Sequence, residues 1–202
     1  MRVVVFGSTG GTGRLILAEA FRRGHEVTAF ARRADALAGV PGLAAVVQGD
    51  GRDQDLAVKA VSGQQAVIMT VSGRGQPGVV AAVARTVTAA MAGAGVSRLV
   101  AAGAYGMVAT RPYVAASLVR RLFAKAFADQ LAADQIIQAS ELDWTIARAT
   151  RLTAKPAHQP PRHSTAAFTK GPYGLSRTAY AAALLDLAEQ GAYPRQIVNI
   201  TG

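Results

Sequence analysis

Gly7, Gly10 and Gly13 recur at every third position in the segment Gly7-Ser8-Thr9-Gly10-Gly11-Thr12-Gly13. The apolar run Val3-Val4-Val5-Phe6 leads into it, and Leu15, Ile16, Leu17, Ala20 and Phe21 follow at helical spacing. That is a buried strand, a tight turn and an amphipathic helix. Glycine lets the backbone take φ > 0 and lets a pyrophosphate lie against the main chain. The amides of the first helical turn have no partner within the helix, and the helix dipole favours an anion there. Gly7 is expected to make the sharp exit from the strand, Gly10 to admit the phosphates, and Gly13 to seat the helix on the sheet. Ser8 and Gly11 complete the loop, and Thr9 and Thr12 add hydroxyl donors. A dinucleotide suits this arrangement. The alternative is an ordinary strand–helix turn without a ligand.

Arg32 and Arg33 stand about twenty residues beyond the loop, where a site for NAD carries an acid against the ribose and a site for NADP carries an arginine for the 2′-phosphate. Asp35 lies beyond both arginines. NADP(H) is therefore expected over NAD(H). A guanidinium there can also stack on adenine, and two solvated arginines are the bland reading. Asp50 is either an acceptor for the adenine amino group or a turn residue. Arg74 and Arg151, in loops at strand ends, could stabilise the negative charge that develops on a reduced flavin or quinone, or could simply be surface charge. They are the candidate catalytic groups. His158 and His163 lie five apart in a proline-rich loop. One could donate a proton, but without a third ligand no metal site is expected. His25 reads as an exposed turn residue.

These residues need elements to hold them. Strands are expected over 27–31, 43–47, 66–71, 98–102, 144–147 and 196–201. Helices are expected over 53–61 with Asp53 as N-cap, over 79–92 before Gly93 and Gly95, over 115–140 as one helix or two, and over 177–190 capped by Ser176. Gly24 suits the end of the first helix. Residues 103–113 read as a loop and 152–176 as irregular, with a hairpin around 166–170. The alternation predicts the α/β class: a single Rossmann-type domain over 1–202, its doubly wound parallel sheet covered by helices on both faces. Such sheets bind ligands outside the carboxyl ends of their strands. Gly7, Arg32, Asp50, Ser72, Gly103 and Ala149 all end strands and should gather on one edge. Gly51, Val71, Gly73, Arg74, Ala102 and Thr150 adjoin them and are expected to join the same cofactor site.

The net charge is +10, from 22 basic and 12 acidic residues. No nucleic-acid motif accompanies it. Arginine outnumbers lysine amid many Ala and Gly, and the basic residues are spread over several elements. This composition tells against nucleic acid and suits a small anionic ligand. The span 144–185 holds no acid but contains Arg148, Arg151, Lys155, Arg162, Lys170 and Arg177. A cofactor phosphate or an acidic substrate could lie over part of it. The uncharged runs 36–49 and 60–73 are too short and glycine-broken to cross a bilayer. The early strand leaves no room for a secretory signal, and the lack of cysteine excludes disulfides. A cytoplasmic protein is expected.

The glycine loop, Arg32-Arg33, Gly49-Asp50, the segment Ser140-Glu141-Leu142-Asp143-Trp144-Thr145-Ile146-Ala147-Arg148 and Ser176-Arg177 together resemble the atypical short-chain dehydrogenase/reductase superfamily. The chain looks most like its NAD(P)-binding, NmrA-like branch, which includes flavin reductases of the biliverdin reductase B type. The resemblance covers nearly the whole chain and implies a Rossmann fold that binds NADP. Some features depart from the pattern. The main short-chain dehydrogenases use a Tyr-x-x-x-Lys pair, but none of Tyr105, Tyr113, Tyr173, Tyr180 and Tyr193 has a lysine four residues on; Tyr173 has Arg177 there. The flavin reductase branch carries a serine after strand five and a histidine after strand six. Here Ala104 and Arg151 stand in those places, and Arg148-Ala149 replaces the usual Arg-Pro. A sugar-nucleotide epimerase would need the Tyr-Lys pair and a larger substrate domain. The expected function is transfer of hydride from NADPH to a planar small-molecule acceptor, with flavin as a substrate rather than a prosthetic group. An NmrA-like NADP(H) sensor without turnover is the alternative.

Overall fold

The computed structural model describes residues 1–73, 76–107, 117–118, 121–157, 159–166 and 174–202. The chain runs β1 (Arg2–Phe6), α1 (Gly11–Arg22), β2 (Glu26–Ala31), β3 (Leu43–Gln48), α2 (Gln54–Val61), β4 (Ala66–Met69), α3 (Val79–Ala94), β5 (Arg98–Ala104), α4 (Ala124–Gln138), β6 (Asp143–Ala149), β7 (Arg151–Thr153), β8 (Arg162–Ser164), β9 (Gly174–Ser176), α5 (Arg177–Gln190) and β10 (Gln196–Thr201). The main sheet has the order β3-β2-β1-β4-β5-β6-β10-β8. Seven of its strands are parallel, and β8 runs antiparallel to β10. The order reverses between β1 and β4, which makes the glycine loop the switch point where such sheets take ligands.

The strand pattern sorts the core into two layers. Successive side chains of β1 face opposite ways. Val3 and Val5 pack with Ile16 and Leu17 of α1 and Leu184 and Leu185 of α5. Val4 and Phe6 pack with Val83, Val87 and Met91 of α3 and Ile137 of α4. All four residues of β4 are buried, as an apolar central parallel strand requires.

Local chemistry ends the helices where it should. Gly24 (φ +74) closes α1, with its amide on Phe21 O at 3.0 Å and the His25 amide on Ala20 O at 2.9 Å, a Schellman motif. Gly95 (φ +68) closes α3 in the same way, so Gly93 lies within that helix rather than breaking it. Asp53 accepts from the Leu56 amide at 3.1 Å and caps α2, as expected. Ser176 stands at the N-cap of α5 but makes no side-chain cap bond. The cap of α3 comes from another element: Asp129 of α4 accepts from the amides of Val80 and Ala81, each at 3.0 Å.

The last third departs most from expectation. β5 continues through Gly103 and Ala104, which the sequence reads as loop, because both pair with β6 at Arg148 and Ala149. β4 stops at Met69 rather than residue 71. Within 152–176, β7 pairs with β9 and β8 joins the main sheet. The hairpin expected around 166–170 lies almost wholly outside the described residues. His25 is not simply exposed: its ring meets Glu189 of α5 and the Met1 amino group.

Candidate cofactor site

The glycine loop takes the shape its residues dictate. Gly7 has φ +85, and a Cβ there would stand 2.7 Å from the Thr70 carbonyl oxygen. At Gly13 a Cβ would overlap the Gly7 carbonyl and come within 2.8 Å of Ser8 Cα. Gly10, the N-cap of α1, lies in extended backbone at φ −71, and a Cβ there would meet only the Gly7 carbonyl, at 3.2 Å. So Gly7 and Gly13 are required by the fold, while Gly10 keeps space open. The first turn of α1 has no side-chain cap bond and no acid, which leaves its positive end available to an anion. Ser8 is a correction: its side chain is wholly buried and its hydroxyl donates to Phe30 O at 2.8 Å, tying the loop to β2. The whole residue is buried and its hydroxyl is taken, so it offers no side chain to a ligand.

Gly7, Thr9 and Gly10 line one groove together with Arg32, Asp50, Gly51, Val71 and Ser72. These residues arrive from the ends of β1, β2, β3 and β4, so one edge of the sheet does gather them. The stacked rings of Phe6 and Phe30, centroids 4.6 Å apart, form its floor. Arg33 is exposed and does not line the groove. Arg52 does, and the sequence reading passed over it. Asp50 accepts from Arg52 through its amide at 3.0 Å, Nε at 2.9 Å and Nη2 at 2.7 Å. These bonds, with a smaller contribution from the charge of Arg32, hold the Asp50 carboxyl down at about 2. The carboxylate is therefore largely committed to Arg52, and two guanidinium groups face the groove. The Asp-x-Arg spacing at 50–52 was the available signal for Arg52.

The other expected residues lie further along the edge. Gly73 lines a second cavity with Val71, Ser72 and Gln76, together with Phe123 at the N-cap of α4 and Phe127 within it. Ala102 and Gly103 are half-buried on β5; Gln130 Nε2 donates to Ala102 O at 3.4 Å, and a Cβ on Gly103 would stand 3.0 Å from Arg148 Cγ. Arg148 itself bonds Asp134 at 2.9 Å, within a cluster whose burial pushes the Asp134 carboxyl up. Ala149 is buried in the core. Thr150 turns away from the edge: its amide and hydroxyl both go to Ile200 O, at 3.2 and 3.4 Å, because the pairing with β10 continues past the end of β6. Ala149 and Thr150 therefore offer no side chain to the groove. Arg151 borders a third cavity, beside β7 and β9. Arg74 and His158 lie outside the described residues. His163 sits in β8 against Ile200, with its ring 6.0 Å from that of Tyr193, and burial pulls its pKa down. Among the described residues no group of three or more His, Cys, Asp and Glu is placed to hold a metal.

Two further residues bear on the chemistry. Arg177 opens α5, and its Nη1 stands 2.5 Å from where a Cβ on Gly11 would be, so its guanidinium lies against the first turn of α1. Nothing local in the sequence pairs residue 177 with residue 11; only the packing of α5 on α1 does so. Tyr180 is fully buried and its hydroxyl donates to Ala147 O at 2.7 Å; burial pushes its pKa up. It is a structural tyrosine.

The sequence model of the NAD(P)H-binding family matches residues 7–191. This chain belongs to the NAD(P)H-binding family. Solved structures agree on the fold. The anaerobilin reductase ChuY of Escherichia coli O157:H7 is 24% identical and superposes with a TM-score of 0.85, over 100% of this chain and 97% of that one. The oxidoreductase ylbE of Lactococcus lactis is 17% identical with a TM-score of 0.86, over 100% and 91%. A short-chain dehydrogenase/reductase of Veillonella parvula, solved with NADP, is 16% identical with a TM-score of 0.79, over 100% and 94%. The fold is the one these solved structures share, and NAD(P)H is what the matched family binds. The open space at Gly10, the uncapped start of α1 and the arginine-bearing groove beside it all fit such a group. No helix among the described residues is long and apolar enough to cross a membrane.

Proposed function

We propose that this member of the NAD(P)H-binding family is an NADPH-dependent oxidoreductase that reduces a planar small-molecule acceptor such as a flavin or quinone. The observation that carries this reading is the groove running from Gly10 at the uncapped start of α1 to Arg32 and Arg52, whose one carboxylate is already bonded to Arg52. In this reading the first-turn amides of α1 hold the pyrophosphate, and Arg177 adds positive charge beside Gly11. Arg32 and Arg52 bind the 2′-phosphate, with Arg33 at most a distant electrostatic partner. The aromatic floor, Gly51 and Val71 enclose the adenosine. The nicotinamide, when bound, supplies the hydride. Arg151, at the start of β7, stabilises the charge that develops on the acceptor, and Arg74 is assigned to the same task by sequence alone. The acceptor gains the hydride and takes its balancing proton from solvent.

The rival reading, an NADP(H) sensor without turnover, is favoured by one observation. Tyr180 is sealed away on Ala147 O, while Ala104 and Arg151 stand where a serine and a histidine would be. Absorbance at 340 nm, with NADPH and a panel of FMN, riboflavin and menadione, separates the two. NADPH oxidation that depends on added acceptor is expected. Binding of NADPH without turnover on any acceptor would make the sensor the better account, and failure to bind either nicotinamide would remove both readings.

A further inference from the structure

A cavity of about 520 Å³ opens at the start of α5, beside Ser176 and Ala179. Arg151, Lys155 and Arg162 all line it, yet they come from β7, the loop that follows it and β8. No acidic side chain does, since the whole span 144–185 holds none. Among the described residues none of the three cations pairs with a carboxylate, including that of Gly202 at the cavity's edge. The fourteen-residue helix α5 also begins here. Ser176 lines the cavity without capping the helix, and the first turn carries no acid. Three cations and a helix N-terminus thus converge on a space whose buried floor is Leu175. Holding like charges together is unfavourable unless an anion joins them. The next residue after Ser176 is Arg177, which reaches Gly11, so the start of one helix links this cavity to the glycine loop.

We infer that this cavity binds an anionic arm of the acceptor, a phosphate or a carboxylate, and so selects acidic acceptors over neutral ones with the same ring. The inference rests on the oxidoreductase reading for the word acceptor, but the anion site itself stands on the cavity. Matched pairs of probes test it by equilibrium titration of flavin fluorescence and quinone absorbance, with NADP⁺ at saturation so that the cofactor's own phosphate positions are filled. FMN and riboflavin differ only in a phosphate; a carboxylated naphthoquinone and its parent differ only in a carboxylate. Charge-assisted bonds predict at least a roughly tenfold tighter Kd for FMN, for the carboxylated quinone, or for both. The doubly substituted Lys155→Ala/Arg162→Ala protein should lose that preference while melting like wild type, since both side chains are exposed. Inorganic phosphate should displace FMN but not riboflavin. Preference in the flavin pair alone identifies a phosphate arm, and in the quinone pair alone a carboxylate arm. Equal Kd values within both pairs, or a preference that survives the double substitution, would overturn the inference and leave the NADPH reading untouched. If NADP⁺ does not bind, that reading falls, and the same titration without NADP⁺ still decides the anion site.

Discussion

Gly10 and Gly13 are three residues apart and do different work. The backbone around Gly13 leaves no room for a Cβ, whereas at Gly10 the added atom would meet one carbonyl oxygen and otherwise project into the groove. Gly13→Ala should therefore lower stability by about 1–3 kcal/mol, the usual range for overpacking, with the melting temperature as the readout. Gly10→Val should melt near wild type yet lose NADPH binding, because its side chain fills phosphate space. Unchanged affinity in a folded Gly10→Val protein would remove the loop from the site. The need for glycine at 7 and 13 was legible in the spacing, because it follows from local backbone geometry. Arg52 and Arg177 were not assigned. Arg52 left a trace in the Asp-x-Arg spacing at 50–52, whereas the position of Arg177 depends on where the start of α5 comes to rest, which spacing does not encode. Ser8 reads from the sequence only as part of the loop; its bond to the Phe30 carbonyl at 2.8 Å depends on where β2 comes to rest, which is not local to the loop.

At the scale of elements, α1 and α5 are joined by ion pairs that the sequence reading did not foresee. Arg23 bonds Glu19 of its own helix at 2.8 Å and, across the interface, Asp186 at 2.7 Å and Glu189 at 3.0 Å; His25 bonds Glu189 as well. The Arg23 side chain is only 19% exposed, so the network is shielded more than a surface pair. Arg23→Ala should cost about 1–2 kcal/mol at pH 7, judged from charged hydrogen bonds with partial compensation, and a urea titration would measure it. The bond from Arg22, with help from Arg23, holds the Glu19 carboxyl at about 2, below its ordinary 4.5. A depressed carboxyl contributes stability above its unfolded pKa and loses it as pH falls towards the folded value. The gap between wild type and Arg23→Ala, carried by the Arg23 share of this shift and by the lowered Glu189 carboxyl, should thus be full at pH 7 and shrink as pH falls from about 4.5 towards 2. A gap that persisted in full at pH 2 would contradict the electrostatic origin. The order of strands and helices was legible because apolar periodicity and glycine caps are local. Asp129 was invisible as the cap of α3, since it lies on a later helix. The short strands β7, β8 and β9 were missed because three residues carry too little periodicity to read.

Across the whole molecule the excess positive charge has a place. The groove at the switch point collects Arg32 and Arg52, and the cavity at the start of α5 collects Arg151, Lys155 and Arg162. The glycine loop lines the groove, and Arg177 lies against it at Gly11. The acid-free span 144–185 hinted at the second cluster, and the fold brings three of its cations to one cavity. In the function proposed above, the groove takes a 2′-phosphorylated nicotinamide dinucleotide. NAD offers only hydroxyls where Arg32 and Arg52 stand, and each charged hydrogen bond is worth about 1.5–3 kcal/mol, roughly ten- to a hundredfold in affinity. Isothermal titration calorimetry of NADPH and NADH against wild type and Arg32→Ala is the most direct test. Wild type is expected to bind NADPH at least about tenfold more tightly than NADH, and Arg32→Ala to erode this preference by weakening NADPH alone, apart from any stacking on adenine that both cofactors lose. Equal affinity of wild type for NADPH and NADH would contradict it.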